Sequence, residues 1–260
     1  MPLSRRALLA SLLCVLSPVR PVAAQDDAPV IAAASNMEFA LAEIAEAFRQ
    51  ATGHRVRLSL GSTGNIARQI RQGAPFQLFL AADEVVPLAL HADGLTEDAG
   101  RIYALGRIVL VAPRGGVLVP DPALDNLAAL VAAGGITRFA IANPDHAPFG
   151  MAARAALQHR GLWDALVPRL VLGENISQAA QFALSGNAEG GIIALSLALA
   201  PQVAARGDHA LIPEGWHNPL TQRMVLLRGA GPVARAFHDY IQSPPAREIL
   251  ARYGFGLPPG

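Results

Sequence analysis

The feature that most constrains this chain is a recurring unit: a short apolar run, a turn of small residues, then apolar residues at helical spacing. Val30-Ile31-Ala32-Ala33-Ala34 reads as a strand. Behind it Phe39, Ala42, Ile44, Ala45 and Phe48 recur at helical spacing up to Gly53. Arg55 to Leu60 alternates polar and apolar residues, and Gly61-Ser62-Thr63-Gly64-Asn65 turns it into a helix from Ile66 to Gln72. Phe76 to Ala81 is a third strand, followed by a helix from Glu84 to Ala92. The second half repeats the scheme. Its strands are Phe139–Ala142, Arg169–Leu172 and Gly191–Leu195; the first two lead into helices opened by Phe149 and Ile176, and the third runs into another helix. Such alternation predicts an α/β fold, with mainly parallel sheets flanked by helices on both faces.

Two segments depart from the pattern. Arg107 to Ala112 and Arg223 to Leu227 are strand-like, yet no helix directly follows either. Gly115 to Asp125 is rich in Pro, Gly and Asp and reads as a boundary. The simplest layout is two lobes with the chain crossing between them twice. Lobe 1 takes 26–110 plus 218–260, including a helix around Val233 to Tyr253, and lobe 2 takes 111–217.

Composition then narrows the chemistry. With 260 residues, 52% apolar and 16% charged, the chain has the make-up of a folded protein of one large or two small domains. Its formal charge is +1, and all 21 basic residues are Arg, spread singly beyond Arg5-Arg6 and without interleaved aromatics. That leaves no electrostatic case for nucleic acid. The absence of Lys excludes a Lys Schiff base and a P-loop, and the single Cys14 excludes a disulfide framework. Residues 1–24 read as an export signal: Arg5 and Arg6, an apolar run from Ala7 to Leu16, and Val22-Ala23-Ala24 before a cut at Gln25. The run is too short for a spanning helix. Its removal takes three Arg and no acid, leaving 18 Arg against 20 acids, a formal −2.

In parallel α/β sheets, ligands sit outside the carboxyl ends of the strands. There the turns place backbone N–H groups that lack intrahelical partners and carry partial positive charge, so an anion binds without a basic residue. The turns are Ala34-Ser35-Asn36, Gly61-Ser62-Thr63-Gly64-Asn65, Ala147-Pro148-Phe149-Gly150, Gly173-Glu174-Asn175-Ile176 and Ala194-Leu195-Ser196, and none carries Arg. Singly, Ser35 or Asn36 reads as a helix cap worth about 1 kcal/mol. The signal lies in the set, with polar uncharged turns from both halves available to one cleft. Catalytic patterns are weak. There is no G-x-S-x-G elbow, the seven His form no spaced zinc pair, and Asp83-Glu84 falls where a helix would be capped. Asp145-His146 is the one polar pair near a predicted site. An exported hydrolase built on Ser35 or Ser62 lacks a paired base-and-nucleophile motif, so the chain reads as a non-enzymatic binding module.

Several pieces carry a more specific likeness. They are Ala32-Ala33-Ala34-Ser35, Gly61-Ser62-Thr63-Gly64 with Ala67-Arg68-Gln69-Ile70, and Gly73-Ala74-Pro75 with Leu78-Phe79-Leu80-Ala81-Ala82. Asn143-Pro144-Asp145-His146-Ala147-Pro148-Phe149-Gly150, Gly173-Glu174-Asn175-Ile176 and Arg252-Tyr253-Gly254-Phe255 complete the series. In this order the chain resembles the periplasmic molybdate-binding proteins of ABC importers. The resemblance implies a two-lobed, type II-like binding protein with its ligand in the interlobe cleft, closing by a hinge motion. It implies capture of molybdate, and of the similarly sized tungstate, in the periplasm for a membrane permease. It also implies a monomer with no cofactor, the metal being held through its oxygens rather than by direct metal-ion ligands. Another tetrahedral oxyanion, sulfate or phosphate, is the alternative cargo.

Carried over by motif, the hydroxyls of Ser35 and Thr63 and the backbone N–H groups of Phe149 and Ile176 hold the oxyanion, with Ser62 and Ser196 as secondary positions. Where some members place a Tyr hydroxyl, this chain has Ala194. The Asn36 side-chain amide is the expected replacement, ahead of Ser196.

Overall fold

A computed structural model describes residues 28–258; the segment read as an export signal, residues 1–24, lies outside them. The chain opens with β1 (Val30–Ala34), one 3-10 turn (Ser35–Met37) and α1 (Glu38–Thr52). Next come β2 (Arg57–Gly61), α2 (Thr63–Arg71), β3 (Phe76–Leu80), α3 (Val85–Ala92) and β4 (Arg101–Gly106). After Arg107 the chain enters β5 (Ile108–Pro113), α4 (Asp125–Ala132), β6 (Phe139–Ala142), α5 (Pro148–His159) and α6 (Trp163–Leu166). It continues through β7 (Leu170–Gly173), α7 (Ile176–Leu184), β8 (Gly190–Ala194), α8 (Leu195–Ala198), α9 (Pro201–Ala204) and β9 (Gly207–Leu211). It ends with β10 (Leu220–Leu226), α10 (Pro232–Ile241) and α11 (Pro244–Arg252). No helix among the described residues is long and apolar enough to cross a membrane.

The strands form two five-stranded sheets, ordered β2-β1-β3-β10-β4 and β7-β6-β8-β5-β9. In the first, β1 runs parallel to β2 and β3; in the second, β6 runs parallel to β7 and β8. One strand in each sheet is antiparallel to both neighbours: β10 in the first and β5 in the second. Each is the first strand the chain makes after changing sheet. The reason is geometric. The chain leaves a sheet at the carboxyl edge and arrives at the carboxyl edge of the other, so Ile108 pairs with Ala194 and Leu220 with Gly106. From there it can only run backwards. These are the two strand-like runs that no helix follows.

The two-lobed α/β class is therefore present, with changes of detail. The first crossing lies at Arg107 rather than 110, because β5 pairs along its length with β8 and β9. Gly115 to Asp125 is not a boundary; it joins β5 to α4 within lobe 2. The single C-terminal helix is two helices. Pro244 and Pro245 open α11, and a Pro ring with no N–H does not continue the helix before it.

Period-2 alternation along β1 supplies both faces of the lobe 1 sheet. Ile31 and Ala33 pack with Leu41, Ile44 and Phe48 of α1, Phe237 of α10 and Leu250 of α11. Ala32 packs on the other face with Ile66, Ile70, Phe79 and Leu90. Lobe 2 has its own core of Val109, Leu110, Phe139, Ile141, Leu157 and Ile192. Each lobe has an apolar interior, that of lobe 2 being joined at the cleft by Ala34, Ala82 and Leu220 of lobe 1, and the polar turns face one another.

Candidate functional site

The facing carboxyl ends meet around a small pocket of about 10 Å³, lined by Ala34, Ser35, Asn36, Gly61, Ser62, Thr63, Ala82, Ala147, Pro148, Phe149 and Ile176. Ser35, Asn36, Thr63, Phe149 and Ile176 are thus brought together from four different turns, with Ser62 beside them. Ser196 is not among the lining residues. It is buried, and its hydroxyl donates to the Asn36 carbonyl at 2.8 Å, joining the lobes instead. No lining residue is charged.

The start of each helix leaves one donor unused. In α2, Ser62 is the N-cap, Gly64 N–H donates to the His146 carbonyl at 3.0 Å, and Ile66 N–H to the Ser62 carbonyl at 3.0 Å. In α5, Pro148 has no N–H, while Gly150 and Met151 donate to the Ala147 carbonyl at 2.9 and 3.0 Å. In α7, Gln178 N–H donates to Asn175 Oδ1 at 3.0 Å and Ser177 N–H to Ser35 Oγ at 3.2 Å. The N–H groups of Thr63, Phe149 and Ile176 have no acceptor among the described residues. All three belong to residues that line the pocket. A buried N–H without a partner is costly, so three around one cavity point to an acceptor that belongs there.

The side chains add donors of the same polarity. Thr63 Oγ1 accepts from Ala82 N–H at 3.0 Å, which frees its proton for the pocket. Ser35 Oγ donates to Asn175 Oδ1 at 3.1 Å, so its proton is engaged across the lobes and must swing to reach a ligand. The Asn36 amide meets the Gln222 amide at 3.1 Å, and its other amide atom has no partner.

Direct contacts join the lobes around the pocket. Beyond those named, Ser62 Oγ lies 2.8 Å from His146 Nδ1, and Asn65 Nδ2 donates to Glu174 Oε2 at 3.4 Å. Ser62, His146 and Glu174 are the residue types of a hydrolytic triad, with His146 Nε2 3.8 Å from Glu174 Oε2. Three facts oppose that reading. Ser62 Oγ caps α2, Glu174 is largely exposed, and the Ser62–His146 contact joins the two lobes. His146 therefore serves as a bridge between lobes and does not line the pocket.

Sequence reasoning passed over Asn175, Ser177, Tyr103 and Gln222. Asn175 had a signal, as a cap residue at the end of a strand-to-helix turn. Gln222 had none: it lies between Thr221 and Arg223, and its full burial shows only in the structure. The contacts of Ser177 and Tyr103 join segments far apart in the chain, which no local pattern reveals.

Comparison with known proteins agrees with this geometry. A family model described as bacterial extracellular solute-binding protein matches residues 29–256. The molybdate-binding protein ModA of Azotobacter vinelandii is 37% identical over 90% of this chain and 92% of its own length. The ModA of Rhodobacter capsulatus is 34% identical over 98% and 97%. The solved Azotobacter vinelandii periplasmic molybdate-binding protein superposes with a TM-score of 0.81 at 30% identity, covering 89% of this chain and all of the other. With its lobes, its facing helix starts and a match over nearly its whole described length, the chain belongs to the family of bacterial extracellular solute-binding proteins.

Proposed function

We propose that this protein captures molybdate, and tungstate with it, in the periplasm and hands the oxyanion to a membrane ABC permease. The observation that carries this reading is the set of three unpartnered N–H groups, Thr63, Phe149 and Ile176, around one uncharged pocket. A tetrahedral dianion offers acceptors in four directions and no proton. Charge-assisted bonds to such an anion are roughly twice as strong as neutral ones. Donors fixed at helix starts avoid most of the ordering cost of binding. Ser35 and Thr63 contribute hydroxyls, Asn36 contributes its side-chain amide in place of the donor absent at Ala194, and Ser62 stands in reserve. The names of the Azotobacter and Rhodobacter relatives support molybdate as the cargo.

A pocket of donors disfavours an anion that keeps a proton, because that proton would meet no acceptor. Sulfate passes this test, so size separates it from molybdate. Thermal unfolding with each oxyanion is the test. Ligand at about 1,000 times its dissociation constant stabilises the fold by roughly 4 kcal/mol. Molybdate and tungstate are expected to raise the melting temperature, with sulfate and phosphate leaving it unchanged. An equal or larger shift with sulfate or phosphate moves the cargo to that anion.

A further inference from the structure

The Asn36 amide is the one donor proposed for the pocket whose polarity its own position does not settle, since the nitrogen and oxygen of an amide differ little in shape. Asn36 is 1% exposed and Gln222 is fully buried, so neither amide turns to solvent for a partner. As placed, Asn36 Nδ2 faces Gln222 Oε1 at 3.1 Å, and two atoms are left without partners, Asn36 Oδ1 and Gln222 Nε2. That placement also asks too much of Tyr103. Its hydroxyl lies 2.7 Å from Gln222 Oε1 and 3.0 Å from the Ala81 carbonyl. Both are acceptors, and a phenol has one proton. One of the two short contacts would then be oxygen against oxygen with nothing between.

A single fixed group resolves the Tyr103 conflict, with the Gln222 oxygen taking the place of its unpartnered nitrogen. The Ala81 carbonyl only accepts, so the Tyr103 proton goes to it. Burial, with the charge of Asp83 adding to it, holds the Tyr103 phenol well above its usual range, so that proton stays. The Tyr103 oxygen then has a lone pair for Gln222, and Gln222 meets it with its NH2. The second proton of that NH2 faces Asn36, which meets it with Oδ1. Asn36 is left with its NH2 as the free end, on a residue that lines the pocket.

We infer that Tyr103 and Gln222 are positioning residues that fix the Asn36 amide as a donor toward the bound oxyanion, through a hydrogen-bond relay anchored on the Ala81 carbonyl. The inference rests on the reading that Asn36 contacts the anion. It makes anion selectivity depend on a tyrosine two side chains removed from the ligand: with the relay reversed, Asn36 would present a carbonyl oxygen to a dianion.

A double-mutant cycle on the full chain tests it, with molybdate affinity measured by calorimetry and folding checked by melting without ligand. Asn36→Ala is expected to weaken molybdate about tenfold or more, the scale of a hydrogen bond to a charged group. Tyr103→Phe keeps the ring but removes the anchor, and is expected to weaken molybdate several-fold in the parent and not at all beside Asn36→Ala. Gln222→Met, which removes the relay but keeps its length, is expected to behave like Tyr103→Phe and serves if that variant melts early. The Asn36 side-chain NH2 resonances in an 15N spectrum are expected to move when molybdate binds the parent. If Asn36→Ala binds molybdate as the parent does, the reading of Asn36 as a ligand is what fails. If Asn36→Ala weakens binding but Tyr103→Phe and Gln222→Met cost the same with or without Asn36, the relay alone is overturned. Asn36 NH2 resonances that ignore molybdate overturn it as well.

Discussion

Among single residues, Ile176 offers the cleanest separation of backbone from side chain. It is the first residue of α7, where Pro is well accommodated, and Asn175 before it has φ −154° and ψ 175°, an extended geometry that tolerates a following Pro. Ile176→Pro therefore deletes one N–H while keeping the helix. Molybdate affinity is expected to fall at least tenfold by calorimetry, with the protein still folded by circular dichroism. Ile176→Val is expected to bind as the parent does. A folded Ile176→Pro protein with parental affinity would remove that N–H from the site. The turns that hold Ser35, Asn36, Thr63, Phe149 and Ile176 were legible in the sequence, because a turn behind a strand announces both the end of the sheet and the start of a helix; the choice of residue within each turn came from the family resemblance. Tyr103 and Gln222 were not, since a hydrogen bond between β4 and β10 spans more than a hundred residues of chain. His146 was legible as polar and near the site, but its part in joining the lobes depends on how closely they approach.

At the level of elements, the repeating strand–turn–helix units were readable because their apolar periods are clean. β4, β9 and α4 were missed. β4 mixes an exposed Arg101 and Leu105 with buried Tyr103, β9 opens Gly207-Asp208-His209 with two exposed polar residues, and α4 follows a Pro-rich loop that masks its start. Between such elements, one carboxylate does the joining. Glu189, just before β8, accepts from the N–H groups of Thr137 and Arg138 at 2.9 and 2.8 Å and from the Thr137 hydroxyl at 2.8 Å, fastening the start of β6. Burial pushes its pKa up, but these bonds outweigh burial and hold it below the ordinary glutamate value of 4.5. A carboxylate depressed on folding adds stability above its unfolded pKa and loses it as pH falls through the lower folded value. Glu189→Gln is therefore expected to cost about 0.5–1 kcal/mol at neutral pH, allowing for partial exposure. In urea unfolding that difference should shrink below about pH 4. A difference of the same size at both pH values would break the link between the charge and the strand.

For the whole molecule, one tight contact between the lobes is their approach at Gly64. A Cβ on Gly64 would sit 2.8 Å from the His146 carbonyl oxygen and 2.9 Å from His146 Cβ, across the cleft. Gly64 lies in the first turn of α2 without a positive φ, so Ala there suits the helix and obstructs only the closed arrangement. Gly64→Ala is expected to melt without ligand at or above the parent temperature, yet to bind molybdate at least tenfold more weakly, with a larger radius of gyration in the bound form by X-ray scattering. Unchanged affinity would mean that the contact plays no part in closure. The reversed strands carry a different consequence, one of timing. β3 finds its outer neighbour in β10, whose first residue, Leu220, comes long after Leu80. Every strand of the second sheet, by contrast, lies between Ile108 and Leu211. As the chain is made from its N-terminus, the second lobe has all its strands while the first still waits with an open edge. The last domain completed is the one that began first.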